Sequence, residues 1–267
     1  MTKIKRKVNM EKKVGVSLPT EISVPATELG LYSILLFGEP KVGKTSLAAQ
    51  FPDAFLLEFE PGGRAIRAFQ KDVHSWSEFK EYLTLLEGTN RFKTVVMDTA
   101  DIAYKMCLEW ICQEKGFEHP SDESYGKGWS LVNSEFVAQI HRMLNLGRGV
   151  IFVSHAQEKE IKSRLGDTYE KIVPTMSGGG RAALEALADI WAYMYHGKEG
   201  RRWIRIRGND HIAAGCRLKE RFVGVEEINL GRSDEEAYRH FVSAFQKTST
   251  DQKIPSTPRL TLAAKRS

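Results

Sequence analysis

Gly38-Glu39-Pro40-Lys41-Val42-Gly43-Lys44-Thr45 is a complete G-x-x-x-x-G-K-[ST] phosphate loop. Before it, Tyr32-Ser33-Ile34-Leu35-Leu36-Phe37 is an almost unbroken apolar run, which reads as a buried strand. After it, residues 46–51 read as the first turns of a helix that stops before Pro52. The two glycines let the chain curl so that successive N–H groups point inward at a nucleotide's phosphates, which makes Gly38 to Ser46 the candidate nucleotide-binding stretch. The helix N-terminus adds partial positive charge. In this pattern Lys44 reaches the β- and γ-phosphates, and the Thr45 hydroxyl ligates Mg²⁺.

Working outward, short apolar runs alternate with helical segments. The pattern predicts an α/β fold with a mainly parallel central sheet flanked by helices. Further strands are expected at residues 54–59, 94–98, 149–155, 190–195 and 203–207. Helices are expected at residues 76–86, 99–114, 130–146, 182–188 and 234–246. Three stretches follow: a basic arm at residues 1–30, one domain at 31–246, and a tail at 247–267 rich in Ser, Thr, Pro and Lys, with disorder expected. A short extended piece is expected at residues 14–18.

The net charge of +5 is unevenly distributed. Lys3, Lys5, Arg6, Lys7, Lys12 and Lys13 against Glu11 give residues 1–13 a net +5. Lys247, Lys253, Arg259, Lys265 and Arg266 against Asp251 give the tail +4, which leaves −4 for the body. Basic tails suit nonspecific contact with nucleic acid or simple solvation. No apolar run approaches the ~18 residues of a membrane span, and no signal peptide is visible, so a cytoplasmic protein is expected. Cys107, Cys112 and Cys216 form no C-x-x-C pair and read as reduced thiols.

Three strand ends carry candidate chemistry. Val95-Val96-Met97-Asp98 delivers a carboxylate to the sheet edge where α/β folds bind ligands. Asp98 would share the Mg²⁺ with Thr45, with Asp101 as the alternative. Glu60, before Pro61-Gly62-Gly63, is the candidate to polarise water; Glu58 lies on the same face but deeper. His155 ends the next strand as a candidate γ-phosphate sensor, with Gln157 as competitor. Two long polar stretches, residues 115–129 and 157–181, read as loops. Tyr125, Lys127 and Trp129, among glycines in the first, could stack on and clamp a single strand or pack on the core. Gly178-Gly179-Gly180 reads as a mobile loop before a helix. Arg205 and Arg207 share one face of a strand and could reach a neighbour's γ-phosphate in a ring or filament.

The order of phosphate loop, Glu60, Asp98, long loop, His155, long loop and basic strand end resembles the RecA-type recombinase core. Val96-Met97-Asp98-Thr99-Ala100-Asp101, continued by His119-Pro120-Ser121-Asp122 and Tyr125-Gly126-Lys127-Gly128-Trp129, resembles something narrower. It is similar to phage-encoded nucleotide-binding proteins with a RecA-like AAA-type domain, including the Sak-type single-strand annealing ATPases. The resemblance spans about residues 30–225. It implies a RecA-like P-loop NTPase, a Mg²⁺-dependent ATPase acting on single-stranded DNA in phage recombination, within the host cytoplasm. It also implies a homo-oligomer, possible contact with a single-strand-binding protein, and DNA contacts from the second loop through Lys159, Lys162, Arg164 and Arg181. The alternatives are a nucleotide-gated adaptor without DNA activity and, less favoured, a phosphate-loop kinase.

Overall fold

The computed structural model describes residues 18–162, 166–176 and 178–248. The expectations for the basic arm up to residue 17, for Arg164 and for the tail beyond residue 248 lie outside them. Among the described residues ten strands form one sheet: β1 (Ser33–Gly38), β2 (Ala54–Glu58), β3 (Phe69–Asp72), β4 (Thr94–Asp98), β5 (Gly149–Lys162), β6 (Thr168–Pro174), β7 (Ile190–His196), β8 (Arg202–Arg205), β9 (Gly215–Cys216) and β10 (Glu227–Gly231). Their order is β10-β8-β7-β1-β5-β4-β2-β3, with β6 paired to β5 and β9 to β7. From β7 to β3 every neighbouring pair is parallel. β5 therefore lies between the phosphate-loop strand and the Asp98 strand.

Among the described residues six helices cover the sheet: α1 (Lys44–Ala49), α2 (Trp76–Glu87), α3 (Ala100–Lys115), α4 (Lys127–Leu144), α5 (Gly178–Leu187) and α6 (Asp234–Phe245). Strand alternation divides the core in two. Leu35, Leu57, Val95, Met97 and Phe152 pack with Trp76, Phe79, Tyr104 and Phe136 of α2, α3 and α4. Ile34, Leu36, Leu56, Val96 and Val153 pack on the other side with Leu47 of α1 and Phe241 and Phe245 of α6. Because β1, β2, β4 and the first part of β5 are buried on both faces, their sequences are continuous apolar runs. Side-chain caps start two helices: Ser75 Oγ accepts from the Glu78 N–H, and Ser233 Oγ from the Glu236 N–H.

Two expected loops are structured. Residues 157–181 are not one long loop: β5 runs past His155 to Lys162 and pairs antiparallel with β6, from Ala156↔Pro174 to Lys162↔Thr168. Lys159 and Lys162 thus stand on a β-hairpin. Gly178-Gly179-Gly180 opens α5 instead of forming a mobile loop. A Cβ at Gly179 would overlap Asn133, and one at Gly180 would overlap the Tyr104 ring, so small residues let α5 approach α3 and α4. Arg181 is therefore helical, in an ion pair with Glu185 at 3.1 Å. The stretch 115–129 is shorter as a loop than expected, because two 3-10 turns, Pro120–Asp122 and Ser124–Gly126, lead into α4 at Lys127.

Candidate nucleotide site

The C-terminal ends of β1, β4 and β2, together with β5 where it leaves the parallel sheet, converge on one edge. Gly38 is in register with His155, Asp98 with Val153 and Glu58 with Asp98. Gly43, at φ +92°, makes the left-handed turn that launches α1. Lys44 Nζ donates to the carbonyls of Gly38 (3.0 Å) and Glu39 (2.8 Å), so its ammonium lies inside the loop. Burial pushes the Lys44 pKa down, opposed by Asp98, Asp101, Glu60 and Glu39. Pro40 and Lys41 are exposed or partly so at the loop's outer bend, Val42 is buried in the core under it, and Ser46 lies in the first turns of α1.

Thr45 Oγ1 donates to Asp98 Oδ2 at 2.6 Å. Asp98 is 7% exposed, and burial raises its carboxyl pKa; the Thr45 hydrogen bond, Lys44 and His155 oppose that rise. A hydroxyl and a carboxylate in contact beside a phosphate loop form a hard oxygen donor pair of the kind Mg²⁺ takes when it also binds phosphates. The donor set fits a Mg²⁺-nucleotide, which Lys44, the loop N–H groups, Thr45 and Asp98 would hold.

Glu60 and His155 meet across the same edge: His155 Nε2 lies 3.0 Å from Glu60 Oε1, both half-exposed. Asp101, the alternative metal ligand, is occupied otherwise. It accepts from Ser154 Oγ (2.7 Å), the His155 N–H (2.9 Å) and Thr175 Oγ1 (2.8 Å). The Thr175 N–H donates in turn to the His155 carbonyl (3.0 Å). Asp101 therefore fixes the end of the parallel part of β5 and the foot of the β5–β6 hairpin. Gln157 lies farther out on the hairpin, where its amide donates to the Pro174 carbonyl at 3.3 Å.

Glu58 lies deeper than Glu60. It is 5% exposed and accepts from the Gly63 N–H at 3.0 Å, closing the turn that carries Glu60. Its other oxygen has no partner among the described residues. Gly63 has to be glycine, because a Cβ there would overlap the Glu58 carboxylate.

The other expected residues lie apart from this cleft. Tyr125 is fully exposed at φ +56°. Lys127 and Trp129 are in the first turn of α4. Lys127 lies 3.8 Å from Glu123, and Trp129 packs edge-on against His119 while donating to Ser121. Arg205 and Arg207 are engaged rather than free: Arg205 contacts Glu227 Oε1 through Nε and Nη2 (2.6 and 2.5 Å), and Arg207 donates to the Cys216 carbonyl. Sequence reasoning missed Arg202, which lies against the loop at Gly43, and His196, which contacts Glu39. The basic run Arg201-Arg202-Trp203 gave no sign that one guanidinium is buried.

Among the described residues no helix is long and apolar enough to cross a membrane. The SPbeta prophage-derived uncharacterized protein YorG of Bacillus subtilis (strain 168) is 27% identical over 158 residues, 57% of this chain and 48% of that protein. The chain thus matches about half the length of that relative. The KaiC-like protein PH0186 of Pyrococcus horikoshii OT3 superposes with a TM-score of 0.46 at 13% identity, covering 77% of this chain and 87% of that one. Residues 31–218 match the AAA domain family, from before the phosphate loop to beyond β9. The chain belongs to the AAA domain family of nucleotide-binding P-loop proteins.

Proposed function

We propose that the protein is a Mg²⁺-dependent ATPase that binds single-stranded DNA and promotes annealing or recombination in phage DNA metabolism. The observation that carries the ATPase part is the convergence of Lys44, the Thr45–Asp98 pair and the Glu60–His155 pair on one sheet edge. Lys44 and the loop N–H groups would hold phosphate charge, and Thr45 and Asp98 would hold the metal, which would supply charge neutralisation at the phosphates. Glu60 takes a proton from the water that attacks the γ-phosphorus as the bond from that phosphorus to the β–γ bridging oxygen breaks and ADP leaves, and His155 orients Glu60. Loss of charge at the cleft reaches the hairpin through His155, Asp101 and Thr175.

The DNA part is supported by the hairpin's charge pattern. Lys159 faces Lys171 and Ile161 faces Tyr169 on one side, whereas Glu160 faces Glu170 on the other. Like charges directly opposite destabilise a hairpin, and an anionic strand on the Lys159–Lys171 side offsets that cost. Lys162 stands on the acidic side and Arg181 is paired, so neither leads this contact. Self-association, contact with a single-strand-binding protein and a location in the host cytoplasm belong to the same reading; the prophage origin of YorG supports the phage setting.

The test is ATP hydrolysis with and without single-stranded DNA, for wild type beside Lys44→Ala. DNA stimulation that the variant loses is the expected outcome. Hydrolysis indifferent to DNA favours the second reading, a nucleotide-gated adaptor, which the acidic body of the chain supports.

A further inference from the structure

One cross-strand pair braces the phosphate loop from behind. His196 ends β7, Arg202 opens β8, and the two are register partners. Met194 and Ile204, two residues inward on each strand, lie in the core that α1 and α6 cover, so alternation turns His196 and Arg202 to that same side. The His196 main-chain N–H (3.1 Å) and Nδ1 (3.0 Å) both reach Glu39 Oε2, on the second residue of the loop. Arg202 is only 9% exposed. Its Nη1 donates to Asp234 Oδ1 at 2.6 Å, and its Nη2 to the carbonyl of Ser233 at the α6 N-cap. The same Nη1 is 2.7 Å from the point where a Cβ on Gly43 would stand. Its Nε has no partner among the described residues. A buried guanidinium is thus wedged between the left-handed turn of the loop and the first turn of α6.

Burying an arginine is costly unless its charge is paired and its donors are used. Asp234 pairs this one, the Ser233 carbonyl takes a second donor, and the flat fork fills the space behind Gly43. We propose that Arg202 is a positioning residue: anchored by Asp234, it holds the Gly43 turn in its phosphate-binding shape before nucleotide arrives. A loop ordered in advance does not lose that freedom on binding, so the brace acts on affinity more than on the chemical step. A lysine cannot replace it fully, because a point ammonium neither fills the wedge nor bonds both partners with a planar fork. This inference rests on the nucleotide-binding reading of the loop.

The experiment is titration of the full chain with a fluorescent ADP analogue, alongside steady-state ATP hydrolysis and a thermal midpoint for each variant. Arg202→Met is expected to weaken ADP binding by about tenfold and raise KM for ATP alike, with kcat changed by less than about threefold. Arg202→Lys falls between it and wild type. Asp234→Asn weakens binding less, and the double variant R202M/D234N is no weaker than Arg202→Met alone, because Asp234 acts through Arg202. If Arg202→Met does not fold, Arg202→Lys and Asp234→Asn carry the test. Folded Arg202 variants that bind ADP as wild type does overturn the proposal, as does a fall in kcat with ADP affinity unchanged. Wild type that binds no ADP, or Lys44→Ala that binds it normally, overturns the nucleotide reading and this proposal with it.

Discussion

The 2.6 Å hydrogen bond from Thr45 Oγ1 to Asp98 Oδ2 joins the first turn of α1, which follows β1, to the end of β4, across the single intervening strand β5. These are the two oxygens that would hold a Mg²⁺ ion in the proposed site. Asp98→Asn keeps an acceptor for Thr45 and removes the charge a divalent cation needs. The expected outcome is nucleotide binding in EDTA close to wild type, with the gain from added Mg²⁺ abolished and turnover reduced by about a hundredfold or more. Binding titrations with and without Mg²⁺ read this directly. An unchanged response to Mg²⁺ would remove Asp98 from the metal site.

Glu60 and His155 contact each other at 3.0 Å across the cleft, Glu60 from the turn after β2 and His155 from the point where β5 leaves the parallel sheet. Glu60→Gln retains size and the contact but cannot accept a proton at neutral pH. Turnover is expected to fall by about 10²–10⁴, the range for removing a general base, with ATP affinity within a few-fold of wild type. His155→Ala leaves the base in place and loses its orientation, so its loss of turnover is smaller. Single-turnover hydrolysis separates the two; equal losses would mean that His155 does more than orient.

Much of the cleft was legible because its residues come at fixed offsets from buried strands. Residues 34–37, 54–57 and 95–97 are apolar because both sheet faces are covered, so the residues that follow these runs, Gly38, Glu58 and Asp98, come at the sheet edge. The β5–β6 hairpin was not legible as strands because its residues are mostly exposed: Glu158-Lys159-Glu160-Ile161-Lys162 lacks the apolar alternation that marks a half-buried strand. β3 was hidden for the same reason, being a short edge strand with Gln70, Lys71 and Asp72. The glycines at 178–180 were misleading, since glycine signals mobility and close packing alike, and only Tyr104 and Asn133 in place decide which. Arg202 could not be singled out, because its role depends on Gly43 and Asp234, distant in sequence.

The buried Glu58 makes stability depend on pH. Burial raises its pKa above the ordinary glutamate value, the Gly63 N–H opposes that rise, and Asp98 and Asp72 add to it. The stability contributed by protonated Glu58 is fully present below the unfolded carboxyl value of about 4.3, and is lost as pH rises through the folded value. Glu58→Gln stays neutral and keeps an acceptor for Gly63. Its thermal midpoint is therefore expected to match wild type in acid and to exceed it increasingly toward neutral pH. A difference that does not vary with pH would show that Glu58 is not the titrating group. Gly63→Ala has the opposite sense, since its Cβ overlaps the Glu58 carboxylate; it lowers both the midpoint and kcat by shifting the turn that carries Glu60.

Lys159 and Lys171 stand opposite each other on one side of the hairpin, with Glu160 and Glu170 opposite each other on the reverse. If a single strand lies on the lysine side, each lysine that neutralises a phosphate contributes about 0.7 to the slope of log affinity against log salt. Replacing both lysines by alanine is then expected to lower that slope by about 1.4 and to weaken DNA binding at moderate salt. The same replacement removes a like-charge pair, so the thermal midpoint of the free protein rises or holds while DNA affinity falls. Replacing Glu160 and Glu170 relieves the other pair without weakening binding. Fluorescence anisotropy of a labelled oligonucleotide over a salt series measures the slope. A slope unchanged by the lysine replacements would move DNA contact off the hairpin, with the exposed Tyr125 before α4 as the next surface to test.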